Sequence, residues 1–184
     1  PAPGARLLIN GASGGVGTFA LQLARSMGLQ VTAVCSGRNA EQAIALGAHH
    51  VVDYAHQDFT TAGLTYDVLV DLVGNRSLRD LRRVVAPTGS VVLSGGGVPG
   101  EGRLVGPIGT LVRAQLVKGR RGPSISTPLA SPRREGLDDL ASWLASGALT
   151  PVIDRVFGFD DAAAAVRYLE TDHARGKVVV SRSR

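Results

Sequence analysis

A glycine-rich segment between a short apolar run and an amphipathic stretch constrains this chain more than any other feature. The apolar run is Arg6–Asn10, and the segment GASGGVG, residues Gly11–Gly17, follows it directly. Over Gly15–Met27 apolar residues recur at helical spacing, and Gly28 lies where a C-cap glycine belongs. This order predicts a buried strand, a tight turn and a helix.

The rest of the chain continues to alternate short apolar runs with helical patterns. We predict further strands over Gln30–Cys35, His50–Asp53, Asp67–Val73, Ser90–Ser94 and Lys177–Ser181, with Ser124–Leu129 as a sixth candidate. We predict further helices over Asn39–Leu46, Leu78–Val85, Ile108–Val117, Pro132–Ser146 and Asp161–Glu170. Such alternation indicates an α/β domain whose mostly parallel sheet is covered on both faces.

The glycine segment also predicts a ligand. A strand–turn–helix of this kind presents backbone N–H groups to a pyrophosphate, and side chains would block that approach. Gly11 and Gly14 allow the tight turn, and Gly17 lets the helix pack onto the strand. The spacing is G-x-x-G-x-x-G, so a turn without a ligand stays an alternative. A phosphate-binding P-loop does not fit, because no lysine precedes Lys118. We therefore predict a Rossmann-type doubly wound parallel sheet of about six strands that binds a dinucleotide.

The residues after the second strand indicate which dinucleotide. NAD-preferring sites place an acidic residue about 20 positions past the glycine turn, but here the first acidic residue is Glu41. Ser36 offers a hydrogen bond and Arg38 a charged fork, which suit a 2′-phosphate. The sequence therefore favours NADP(H), and the alternative for Arg38 is an ordinary residue of the first helical turn.

Several longer segments resemble one known family. They are LLINGASGGVGTFALQLARSMG, VTAVCSGRN, LGAHHVVDY, YDVLVDLVGN, GSVVLSGGG and HARGKVVV. Together they resemble the cofactor-binding domain of medium-chain dehydrogenase/reductases, and most of all the zinc-independent branch similar to quinone oxidoreductases. The resemblance covers residues 4–182 in order, and it is weakest between Gly100 and Pro132.

The resemblance implies a cofactor site. Its residues would be Ser13, Gly14, Gly15 and Val16 along the pyrophosphate, Ser36, Arg38 and Tyr54 around the 2′-phosphate, Val73, Gly74, Gly95 and Gly96 beside the ribose and nicotinamide, and Lys177 of the terminal Gly-Lys motif. Family members often carry lysine at the position of Arg38, so the charge is kept while its geometry differs. Simple surface exposure of Lys177 and a half-buried loop position of Tyr54 are the alternatives.

The same resemblance implies a division of the chain. Residues 4–149 would form the NADP(H)-binding domain, and residues 150–184 would return toward a catalytic domain that nothing here matches. We therefore expect the chain to be a fragment, inactive alone, and its first residue Pro1 to be a boundary. A proton donor and most of the substrate pocket would lie in the unmatched part, so no catalytic residue is assigned.

The expected activity is that of an NADPH-dependent oxidoreductase. Hydride would pass from the cofactor to a small molecule, a quinone or an enone with an activated double bond, and the resemblance favours a homodimer. One alternative is an enoyl-thioester reductase of the polyketide or fatty-acid type. Another is a non-catalytic dinucleotide-binding module. The sequence decides neither the substrate nor the oligomeric state.

Composition excludes several other classes. The single cysteine, Cys35, rules out an internal disulfide framework and fits a cytoplasmic setting, and we interpret it as a packing residue. The four histidines lack metal-ligand spacing, so no metal site is expected. Seven basic residues and no acidic one lie in 103–134, but without interleaved aromatic residues they do not indicate nucleic-acid binding. No apolar run is long enough for a membrane span.

Overall fold

The computed structural model describes residues 1–94, 122–128, 133–171 and 174–182. Its strands are β1 Arg6–Asn10, β2 Gln30–Cys35, β3 His50–Asp53, β4 Tyr66–Asp71, β5 Val85–Leu93, β6 Ser124–Ser126, β7 Ile153–Gly158 and β8 Lys177–Ser181. Its α-helices are α1 Gly17–Ser26, α2 Ala40–Leu46, α3 Leu78–Arg83, α4 Arg134–Ala145 and α5 Ala162–Thr171. Six strands form one sheet in the order β3–β2–β1–β4–β5–β6, and every neighbouring pair is parallel.

The sheet separates two apolar clusters, one on each face. Leu7 and Ile9 of β1 belong to the cluster that includes Leu21 of α1, whereas Leu8 belongs to the cluster that includes Leu81 of α3. Alternate residues of a strand lie on opposite faces, so β1 is buried on both sides, as in parallel sheets generally. The predicted Rossmann-type sheet of about six strands, with helices on both faces, is confirmed.

The last part of the chain forms a smaller unit. Strands β7 and β8 pair in parallel as a separate two-stranded sheet, and α5 connects them. The unit is joined to α1 through Gln22, whose side-chain amide donates to the Thr150 carbonyl at 3.0 Å and accepts from the Thr150 N–H at 2.8 Å. These two hydrogen bonds hold the start of the unit beside α1.

The prediction of a helix over Leu78–Val85 was wrong at its end. Helix α3 ends at Arg83, and Val85 instead begins β5, where it pairs with Tyr66. The next pair is Val68 with Ser90, so the residues between, including Pro87, leave the regular ladder. Proline cannot donate a ladder hydrogen bond and is tolerated at such an irregularity. The strand therefore starts earlier than the sequence predicted.

Helix α4 also differs from its prediction. It spans Arg134–Ala145, within the predicted Pro132–Ser146, and its apolar side is not buried. Leu140, Leu144 and Trp143 on that side are 40%, 43% and 40% exposed, and α4 has no buried residue. Within the described ranges, the apolar side chains of α4 are only about half covered. The predicted helix over Ile108–Val117 lies outside the described residues. None of the described helices combines the length and the apolar character that a membrane span needs.

A pair of leucines tests this difference in burial. Leu21 of α1 is fully buried and Leu137 of α4 is 55% exposed. Leu21→Ala should lower the free energy of unfolding by about 2–5 kcal/mol, whereas Leu137→Ala should change it by no more than about 0.5 kcal/mol. Urea denaturation of this chain followed by circular dichroism measures both, and equal losses would show that the α4 stripe is covered.

Candidate functional site

The carboxyl ends of the parallel strands meet at one edge of the main sheet. Strand β1 is central there, because Asn10 pairs with Val34 of β2 and with Asp71 of β4. The strand order reverses between β1 and β4, and in open α/β sheets ligands bind in the crevice at such a switch point. Every described candidate residue except Lys177 follows one of the first four strands at this edge.

The turn after β1 is as tight as its glycines predict. Gly11 has a φ of 88°, and the N–H groups of Gly11 and Ala12 both donate to the Val34 carbonyl at 3.1 Å. A Cβ on Gly17 would overlap the Gly11 carbonyl oxygen and lie 2.5 Å from that of Ala12. Helix α1 therefore begins in direct contact with the turn, which only glycine at position 17 allows.

The four candidate pyrophosphate contacts lie in this turn. The Gly14 N–H donates to the Gly11 carbonyl at 3.2 Å, and the Gly14 carbonyl accepts from Thr18 at 3.0 Å. Ser13, Gly14, Gly15 and Val16 thus lead into the first turn of a ten-residue helix, and the Val16 side chain is 60% exposed. A helix N-terminus carries partial positive charge and favours anions.

Lys177 reaches the same turn from the opposite end of the chain. It begins β8, and a Cβ on Gly15 would lie 2.9 Å from both the Lys177 Cδ and Nζ atoms. The missing side chain of Gly15 leaves the space that this lysine occupies. The ammonium group and the helix N-terminus together form an electropositive cradle, which fits a pyrophosphate.

The three candidate contacts to the 2′-phosphate lie together at the ends of β2 and β3. Ser36 begins a short 3₁₀ turn, and its carbonyl accepts from the Asn39 N–H at 2.9 Å. Arg38 is exposed on this turn, and Tyr54 is 49% exposed. The Tyr54 N–H donates to the Cys35 carbonyl at 3.2 Å, so the tyrosine lies directly beside the residues that follow β2.

Asp53 is an acidic residue at this position that the sequence reasoning missed. It ends β3 opposite Cys35, and a Cβ on Gly37 would lie 2.6 Å from its Oδ2 atom. The carboxylate accepts from the Ala55 N–H at 3.1 Å, from His56 Nδ1 at 2.9 Å and from the Gly37 N–H. These hydrogen bonds, that of Ala55 foremost and then that of His56, hold the pKa of Asp53 below its usual value.

A buried polar network supports the turn after β4. Asp71 is 1% exposed, and its Oδ1 atom accepts from Asn10 Nδ2 at 2.9 Å and from the N–H groups of Val73 and Gly74 at 3.1 and 2.9 Å. Asn10 Nδ2 also donates to Asn75 Oδ1 at 3.1 Å. Val73 and Gly74 are thereby fixed beside the glycine turn. Gly95 and Gly96 lie outside the described residues.

The sequence contained a signal for some of the missed residues. Asn10 and Asp71 are polar residues at the ends of two adjacent, otherwise apolar strands, which is where a buried network or a ligand contact is expected. Arg175, whose Nη2 donates to the Arg38 carbonyl at 3.0 Å, had no comparable signal. It lies 137 positions away and meets Arg38 only through the fold.

The single cysteine and the possible metal ligands are the remaining candidates of the sequence. Cys35 is 1% exposed within the α1-side cluster, which confirms its interpretation as a packing residue. Burial, with a smaller contribution from the nearby Asp53 carboxylate, raises the pKa of its thiol. Within the described ranges no group of three or more histidine, cysteine or acidic residues could hold a metal ion. Zinc independence stays a prediction.

Comparison with known proteins gives the family. A family model described as zinc-binding dehydrogenase matches residues 46–180. The chain is 33% identical over 195 residues to the mitochondrial NAD(P)H oxidoreductase RTN4IP1 of Danio rerio, covering 96% of this chain and 49% of that protein. It is 31% identical over 194 residues to the trans-enoyl reductase pgmF of Aspergillus terreus, covering 96% and 51%.

A solved structure agrees with these relatives. The quinone oxidoreductase from Coxiella burnetii superposes with a TM-score of 0.80 at 31% identity, covering 97% of this chain and 53% of that one. The fold and the glycine turn thus define a dinucleotide-binding domain of the medium-chain dehydrogenase/reductase superfamily. Within that superfamily the chain belongs to the zinc-binding dehydrogenase family. It spans about half the length of the curated relatives it matches.

Two glycines of the turn test its geometry. Gly17→Ala places a Cβ against backbone that cannot withdraw, and such overpacking costs about 1–3 kcal/mol, more than the roughly 0.5–1 kcal/mol that alanine gains in a helix. Thermal unfolding should therefore show net destabilisation. In Gly14→Ala the Cβ would meet only the Gly11 carbonyl, at an ordinary 3.5 Å, so its midpoint should stay near that of the parent chain. A Gly17→Ala midpoint equal to or above the parent's contradicts the geometry.

Asp53 has a predictable effect on the pH dependence of stability. Because its pKa is lower in the folded chain, the carboxylate stabilises the fold above its unfolded pKa of about 3.9, and this contribution is lost as the pH falls through the folded-state pKa. Asp53→Asn should therefore lower the urea midpoint at neutral pH, and the difference should shrink on acidification. Asp139→Asn on α4 is the matched control. A difference that grows in acid would contradict the assigned hydrogen bonds.

Proposed function

We propose that this chain is the NADP(H)-binding domain of an oxidoreductase that transfers hydride to a quinone or an activated double bond without zinc. The single observation that carries the proposal is the edge of the main sheet, where a glycine turn, a helix N-terminus and Lys177 converge. When bound, the nicotinamide ring supplies the hydride. The contribution of this chain is to hold and orient the cofactor.

Each part of the edge has a proposed role in that binding. The N–H groups of residues 13–16 and the ammonium of Lys177 would hold the pyrophosphate, as the Gly15 cradle supports. Val73 and Gly74 would lie along the ribose, since Asp71 fixes their backbone. Ser36, Arg38 and Tyr54 would contact the 2′-phosphate, because all three lie where β2 and β3 end.

The preference for NADP(H) over NAD(H) is the finer part of the proposal. Arg38 at the turn supports it, and Asp53 is the residue that could oppose it by accepting from a ribose hydroxyl. Both Asp53 oxygens, however, already accept hydrogen bonds from the protein itself, Oδ1 from Ala55 and Oδ2 from His56. We therefore propose that Asp53 holds the turn in place and does not bind the ribose. The 2′-phosphate would then be bound by Ser36, Arg38 and Tyr54.

We propose that the chemical step needs a catalytic domain in addition to the cofactor domain, because this chain spans about half the length of the relatives it matches. We propose residues 4–149 as the cofactor domain and residues 150–184 as a segment that contributes to a catalytic domain, since β7 and β8 form their own sheet. A small-molecule substrate of the quinone or enone class, a homodimer and a cytoplasmic location stay predictions. The similarity to a trans-enoyl reductase favours one second candidate, reduction of an enoyl thioester.

Arg38→Ala tests the cofactor assignment. Loss of a charge-assisted hydrogen bond costs about 1.5–3 kcal/mol, so we expect NADPH to bind roughly ten- to a hundredfold more weakly and NADH to bind unchanged. Isothermal titration calorimetry measures both affinities. Arg79→Ala, an exposed arginine of α3 on the other face of the sheet, is the control. Equal affinities of the unaltered chain for NADPH and NADH, insensitive to Arg38→Ala, would refute the preference.

A further inference from the structure

The last part of the chain approaches the carboxyl edge of the main sheet at a second point, beside the turn that carries Arg38. Arg175 Nη2 donates to the Arg38 carbonyl at 3.0 Å. The Arg175 backbone is itself fixed, because its carbonyl accepts from Gln42 Nε2 at 2.9 Å and its N–H donates to Asp154 Oδ2 at 3.1 Å. The guanidinium is therefore held at this turn although the residue is exposed.

Arg175, Gly176 and Lys177 bring two cations to two separate parts of the edge. Lys177 lies over Gly15 of the glycine turn, while Arg175 lies at the turn after β2. Gly176 between them has a φ of 140°, and a Cβ there would lie 2.9 Å from Val152 Cγ1. Glycine thus permits the backbone conformation that directs the two side chains to different places. The Cα atoms of Arg175 and Lys177 lie within about 7 Å of each other, and from there the two side chains reach the two turns.

The charges at the turn after β2 nearly cancel, so a second cation there would strengthen the binding of a phosphate. The Asp53 carboxylate lies against Gly37, so its negative charge offsets the positive charge of Arg38 at this turn. A phosphate monoester carries about −1.5 to −2 charges at neutral pH. Without Arg175 the turn would therefore offer that group almost no net positive charge.

Arg175 has donors available for such a group. A guanidinium has five N–H donors in a planar fork, and the Arg38 carbonyl accepts from Nη2. The remaining donors suit a phosphate, which arginine binds in a bidentate manner. The bond to the Arg38 carbonyl pre-orders the fork, so less side-chain entropy is lost when an anion arrives.

We infer that Arg175 is a second specificity-determining residue of the cofactor site and contacts the 2′-phosphate of NADP(H) directly. The inference rests on the proposed function, since it names a further contact of the same site. On this inference, the affinity for NADP(H) depends on the positive charge of Arg175 and not only on its hydrogen bond to the turn.

Three substitutions at one position separate charge from positioning. Arg175→Ala should weaken binding of NADPH and of 2′,5′-ADP on the order of tenfold and leave NADH within about twofold. Arg175→Lys keeps the charge and should recover most of the lost affinity. Arg175→Gln removes the charge and keeps a shorter polar side chain with an N–H donor, and it should bind NADPH as weakly as the alanine variant. Calorimetry at low and high salt measures each affinity, and high salt should reduce the differences in NADPH affinity between the variants.

Controls keep the result interpretable. Arg182→Ala, an exposed arginine just after β8, should change neither affinity, and the thermal midpoints of all variants should match the parent. Wild-type affinity for NADPH in Arg175→Gln would overturn the inference in favour of a positioning role. An Arg175→Ala variant that loses affinity for NADPH and NADH equally, or for neither, would overturn the inference as well. If Arg38→Ala abolishes the NADPH preference while Arg175→Ala does not, only the inference fails. If the unaltered chain does not prefer NADPH, the proposed cofactor preference fails and the inference fails with it.

Discussion

The contact between Gly17 and the carbonyl groups of Gly11 and Ala12 is the constraint on which the carboxyl edge of the main sheet depends. It brings the first turn of α1 directly onto the end of β1, which lies at the centre of the main sheet. The helix dipole and its N–H groups therefore point into the crevice between β1 and β4. A larger residue at position 17 would move the helix away, and Gly15 would no longer lie under the Lys177 side chain.

The first half of the fold was predictable because its information is local. The strand–turn–helix over residues 6–27 follows from apolar spacing and glycine positions within one short segment, and β2 and β3 match their predicted bounds. The two faces of the sheet follow from alternation along β1. The predicted end of α3 was wrong because Val85 pairs with Tyr66 of a neighbouring strand, and the local pattern around Pro87 carries no information on that pairing.

The amphipathic stripe of α4 marks a different limit. Leu137, Leu140 and Leu144 have helical spacing, and a helix does form there, but the described chain buries none of them. Periodicity predicts which side of a helix is apolar and carries no information on what covers it. At the site the same limit applies to Asp53 and Arg175. Each acts on the turn after β2 from another segment, 16 positions beyond Gly37 in one case and 137 beyond Arg38 in the other.

Residues near both ends of the chain meet at this edge of the main sheet, and this has a physical consequence. The segment from Thr150 onward is hydrogen-bonded to Gln22 of α1, and Arg175 is hydrogen-bonded to Gln42 of α2. These bonds position the segment so that Lys177 lies on the glycine turn. An anion at that turn would draw on groups from both ends, so its binding and the docking of the C-terminal unit should stabilise each other, as linkage requires. The helix N-terminus alone would favour an anion only modestly, and the added cation supplies a stronger, charge-assisted contact.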